Sequence, residues 1–192
     1  LIEYRQAYAT PGMLPYATQF RAGDVPFDFL DNFQRLAQIR IGLGDRVPVH
    51  ADPAYWHPQE NAVNIARHMI ASLAGVPMLS MEMTTLSEME RNIIRNWLQF
   101  YREHLDTFKT GHWHVQYQQS AVSYVSVETD EEQIVILSDE KRLDQVMDCK
   151  AQKQYILNLS PAPLRLPGCT AHSPAGEDCP AGCIPPGGRG CR

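Results

Sequence analysis

Arg21, Asp24 and Asp28 fall within the segment Tyr16–Asp28, whose first half reads as a buried strand and whose second half reads as the turn before an amphipathic helix. An Arg three residues from an Asp at the mouth of a strand, followed by Pro26 to stop that strand, can hold a carboxyl group in a fixed pose for proton transfer. The same residues also read as a surface ion pair plus an acid at a helix N-terminus. A second group follows on the next strand and loop: His50, Asp52, Trp56 and His57. Carbohydrate sites pair an aromatic face, which packs on the apolar side of a sugar ring, with carboxylates that accept its hydroxyl hydrogens. The alternative is that His50 and Asp52 form a buried supporting pair and Trp56 packs in the core.

The elements that must position these residues are legible as periodicities. Phe27, Leu30, Phe33, Leu36, Ala37 and Ile41 recur at helical spacing and predict a helix over 27–41, ended by Gly42 and Gly44. Val47-Pro-Val-His-Ala-Asp is the next strand, and Val63 to Leu73 carry helical spacing over 59–74, closed by Gly75. Val76 to Met83 is a short apolar run, as in a strand covered on both faces. Ser87-Glu-Met-Glu90 is a capping box for a helix bearing Ile93, Ile94, Trp97, Leu98 and Tyr101. Three β-α units in succession are expected over the first hundred residues. After about residue 110 the period becomes two, and short β-rich runs separated by polar turns predict an antiparallel β domain.

Residues 1 to about 160 resemble the C-terminal part of bacterial α-galactosidases of glycoside hydrolase family 36. The resemblance is carried by Glu3-Tyr-Arg-Gln, Phe20-Arg-Ala-Gly-Asp-Val-Pro-Phe-Asp, Val49-His-Ala-Asp with Trp56-His-Pro, Gly75-Val-Pro-Met-Leu-Ser and Trp97-Leu-Gln-Phe-Tyr-Arg-Glu-His, in that order. It implies the C-terminal part of a (β/α)8 TIM barrel over 1–108, an antiparallel β-sandwich-like domain over 109–166, and chemistry at the C-terminal ends of the barrel strands. It also implies a retaining glycosidase acting on terminal α-galactosyl residues of an oligosaccharide or glycoconjugate, with no metal or organic cofactor. Retaining enzymes use two carboxyl groups, one as nucleophile and one as acid then base. The family nucleophile lies in a Lys-x-Asp motif on an earlier strand, which this sequence does not contain. Asp24 is then the acid/base candidate, and Arg21, Asp52 and Trp56 the substrate-binding candidates. His50 and His57 are supporting residues. Some members place the acid four residues after the Arg, which keeps Asp28 as the alternative. Others carry His-Ser-Asp-Met where this chain has His50-Ala-Asp52-Pro.

The rest of the composition narrows the field. A net charge of −5 without a basic cluster argues against nucleic acid. No run approaches the 18 apolar residues of a membrane span. The N-terminus resembles neither an initiator Met nor a signal peptide. Among residues 1–166 only Cys149 is a cysteine, which fits a reduced bacterial cytoplasm. His112 and His114 share a strand face without a third ligand, so no metal is expected. Asn158-Leu-Ser160 satisfies a glycosylation pattern only formally. Residues 167–192 hold six Gly, five Pro and four Cys with Ile184 as the one large aliphatic residue, and a disordered tail is expected. Two rival readings share these residues: a non-catalytic carbohydrate-binding module, and an inactive truncated product. Homo-oligomerisation of a full-length protein is left open.

Overall fold

The computed structural model describes residues 1–25, 27–45, 47–147 and 151–192; Pro26 and Cys149 lie outside them. Strands β1 (Glu3–Arg5), β2 (Gln19–Arg21) and β3 (Val49–His50) form a parallel sheet in that order. Parallel bridges from His50 to Val76 and from Ala54 to Leu79 extend its edge, where a full strand was expected. Helix α1 (Phe29–Leu43) crosses over between β2 and β3. Gly44 ends it at φ 72°, its N–H donating to the Arg40 carbonyl, a conformation that glycine adopts without steric cost. Helix α2 (Ala62–Ser72) follows β3, and Gly75 lets the chain return, since a Cβ there would meet the Val49 carbonyl oxygen at 2.5 Å. The Ser87 capping box opens helix α3 (Glu88–Glu103), and α4 (Leu105–Thr110) leads out of this half.

A (β/α)8 barrel is not what these units build. A barrel's helix ring faces solvent on its outer side. Here α1 touches β3 on one side, and on the other it meets β4 (His112–Gln118) and β5 (Ala121–Glu128), two strands of a second sheet. The sheet formed by β1, β2 and β3 stays open, with strands of only two or three residues. Arg40 seals the helix layer to the second sheet. Buried, it stacks 3.9 Å over the Trp113 ring and donates to the Ala74 carbonyl. Burial lowers its pKa to about 10, so it is still charged at neutral pH. Of the helical stripe expected in α1, Phe33, Leu36 and Ala37 are buried, whereas Phe27, Leu30 and Ile41 face solvent.

The second sheet also departs from the antiparallel sandwich. It contains β6 (Glu132–Leu137), β7 (Lys153–Asn158), β9 (Thr170–His172), β10 (Asp178–Cys179) and β12 (Arg189–Cys191) beside β4 and β5, in the order β10-β9-β12-β7-β6-β5-β4. β6 and β7 run parallel, because the residues between them include helix α5 (Leu143–Val146), which supplies the crossover that a parallel pair needs. One apolar core joins this sheet to the helices across the expected boundary at 108/109, taking in Ile93, Trp97, Phe108, Val125, Ile134 and Leu157.

The expected disordered tail is instead woven into the sheet. β12 pairs with both β7 and β9, while β8 (Leu164–Arg165) pairs with β11 (Cys183–Ile184). Ile184 is fully buried in a second core with Val135, Leu137, Ile156, Leu164 and Leu166. Most of that apolar surface belongs to residues before 167, so the tail's own composition understates what it can bury. Asn158, the formal glycosylation site, is buried and donates to the Ala162 and Ile184 carbonyls, closed to any transferase. Among the described residues no helix is long and apolar enough to cross a membrane.

Candidate functional site

The parallel sheet sets Glu3 and Arg5 of β1 beside Gln19 and Arg21 of β2, with Arg21 opposite His50 of β3. Alternation directs Tyr4 and Phe20 to the other face, where their rings lie 6.3 Å apart. Arg21 is the hub of the polar face. Its Nη1 donates to Asp52 Oδ1 at 2.5 Å, its Nη2 donates to Asp24 Oδ1 at 3.0 Å, and its Nε lies 3.6 Å from Glu3 Oε1. One planar guanidinium therefore faces three carboxylates, an arrangement that the fork of an arginine permits and an ammonium does not. Arg5 closes the cluster from outside, its Nη1 donating to Asp24 Oδ2 at 2.8 Å. His50 Nδ1 lies 2.9 Å from Glu3 Oε2, and Gln19 Nε2 donates to the same oxygen at 2.6 Å.

Within this cluster the two aspartates differ. Asp52 has a side chain only 9% exposed and both oxygens occupied, Oδ1 by Arg21 and Oδ2 by the Val25 N–H at 2.8 Å; its backbone exchanges two hydrogen bonds with the Asn32 side chain. It is an anchor that holds Arg21 and the turn after β2. Asp24 is 57% exposed at its side chain. The hydrogen bond from Arg21, with the charge and hydrogen bond of Arg5, holds its carboxyl below the usual carboxylate range, against the opposing effect of desolvation. Asp24 is thus an ionised acceptor presented to solvent.

The remaining candidates divide. Trp56 does not offer a face to a sugar: it is 1% exposed, tilted against His68, and its indole N–H donates to Glu90 at 2.8 Å. The substrate-binding role expected of it is corrected to core packing. Burial pushes Glu90 up, but bonds from Ser87 and Trp56 outweigh it and the net shift is downward. His57 lies on the surface and its Nδ1 accepts the Gln59 N–H, apart from the Arg21 cluster. Asp28 caps α1, accepting the Asp31 N–H at 2.9 Å. His112 and His114 pair separately with Asp45 and Glu128, and among the described residues no three His, Cys, Asp or Glu side chains are grouped to hold a metal.

Glu3, Arg5, Gln19 and Asn32 belong to the cluster without having been named as site candidates from sequence. The signal for the first three was the period-two pattern Glu3-x-Arg5 and Gln19-x-Arg21 on neighbouring strands. Comparison of the chain with protein-family models, curated proteins and solved structures finds no match.

Proposed function

We propose that the Arg21 cluster is the saccharide-facing part of an α-galactosidase-like retaining glycoside hydrolase acting on terminal α-galactosyl residues, with Asp24 as its acid/base candidate. The observation that carries the reading is Asp24 itself, an exposed carboxylate fixed by two guanidinium groups at the C-terminal end of a parallel strand. The galactosyl specificity is supported by the sequence resemblance alone. Four free thiols, Cys169, Cys179, Cys183 and Cys191, fit the reducing bacterial cytoplasm that goes with this reading.

An acid catalyst needs a raised pKa, and Arg21 and Arg5 act the other way. Hydrolysis by Asp24 therefore requires a bound saccharide and a nearby negative nucleophile to outweigh Arg21 as well as Arg5. That same observation favours a second reading, a non-catalytic carbohydrate-binding module in which Asp24 stays ionised and accepts sugar hydroxyls. Both readings require saccharide binding at Asp24, and they part at turnover only in a protein that also carries the nucleophile.

The test is a titration of the purified chain with methyl α-D-galactopyranoside, followed by NMR, beside an assay on an aryl α-galactoside. Saturable binding is expected, weakened about tenfold in Asp24→Asn by loss of one charge-assisted hydrogen bond. No turnover is expected from this chain, since the Lys-x-Asp motif that would carry the nucleophile is not in it. Binding that Asp24→Asn leaves unchanged would overturn the proposal. Turnover abolished by Asp24→Ala would overturn the assignment of the nucleophile to a motif outside this sequence.

A further inference from the structure

Phe27 and Tyr55 leave large apolar surface in solvent, 54% and 40% exposed, at the rim where β2 and β3 end. Their rings meet edge to face, with centroids 5.0 Å apart and planes at 64°. Phe27 follows Asp24 by three residues and Tyr55 follows Asp52 by three, and the Val25 N–H bonded to Asp52 ties the two turns together. Phe27 has φ 66°, a left-handed conformation that is an outlier for a bulky side chain. Core packing does not account for it, because the ring is not buried and glycine would hold the same backbone without strain. Asp24, after β2, and Arg5, the last residue of β1, lie at the same end of the parallel sheet, and their side chains are both exposed. Among the described residues, Arg5 gives one of its five donors to Asp24.

We propose that Phe27 and Tyr55 form a stacking platform for the apolar C–H face of a pyranose ring whose hydroxyls bond to Asp24 and Arg5. The proposal rests on the saccharide reading and adds specificity-determining residues to it. An α-galactoside fits this chemistry, since its axial O4 leaves C3, C4 and C5 presenting a continuous C–H face to an aromatic ring.

Saturation-transfer NMR on the purified chain with methyl α-D-galactopyranoside tests this. Transfer is expected to be strongest at H3, H4 and H5, and affinity should fall about tenfold in Phe27→Gly and in Tyr55→Ala. Phe27→Gly should melt at the same temperature as the parent or higher, because glycine relieves the left-handed residue; a lowered melting temperature with unchanged affinity would show the ring to be structural and overturn the proposal. If Asp24→Asn weakens binding while both ring variants leave it intact, the platform is refuted and the saccharide reading stands. If methyl α-D-glucopyranoside binds in preference with the same ring dependence, the platform is supported and the galactosyl reading fails. Absence of binding by either sugar overturns both.

Discussion

Burial sets the charge on His68. Enclosed between Phe29 and Trp56, its imidazole is held to a pKa of about 4, chiefly by desolvation and against the pull of Glu60 and Asp28. A base with a lowered folded pKa favours the folded state while neutral, so its contribution is complete above the unfolded value near 6.5 and is lost as pH falls toward 4. Stability should drop through that window by on the order of 3 kcal/mol from this residue, and His68→Phe should flatten the profile in urea titrations at stepped pH. Asp28 makes a contrasting prediction. As the cap of α1 its replacement by alanine should cost about 1 kcal/mol of stability and leave saccharide affinity unchanged; a loss of affinity without a loss of stability would return it to the site. Arg21, Asp24, His50 and Asp52 were legible because their spacing is local to strand ends. Glu3 and Arg5 were not, because β1 reaches them to Arg21 by pairing with a strand some sixteen residues away, and no local period reports which strands pair.

At the scale of elements, helices were the most legible feature. The Ser87–Glu90 capping box and Gly44 after α1 are chemical signals contained within a few residues, although Gly42, expected to help end the helix, lies inside it. The strand after Gly75 was reduced to bridges, and a tail read as disordered became β12, because both depend on partners elsewhere. Gly190 shows why composition misled: a side chain there would collide with Ile184, so the glycine is what lets Ile184 sit beneath the strand. Ile184→Ala should therefore cost about 2–5 kcal/mol, and removal of residues 167–192 should abolish cooperative unfolding of the chain in urea. A truncated chain that melts within a degree or two of the full one would show that the C-terminal strands contribute little.

The described residues build a layer of helices with a short parallel sheet and a sheet of seven mixed strands packed on it, and a two-stranded sheet of β8 and β11 beside the larger one. Apolar periodicity announced the layers but not their closure: the same β-α units suit a barrel or an open sheet, and the choice is made by what covers the outer faces of α1 and α2. In this chain β4, β5 and β7 cover them. The position of β12 between β7 and β9 bears on biosynthesis. Until Cys191 has left the ribosome, β7 exposes an unpaired edge beside the apolar side chains of Ile156 and Leu137, so the large sheet cannot be completed before that point. A message cut short before that codon releases a chain with a sticky strand edge, one that a quality-control protease or a chaperone would meet before any saccharide does.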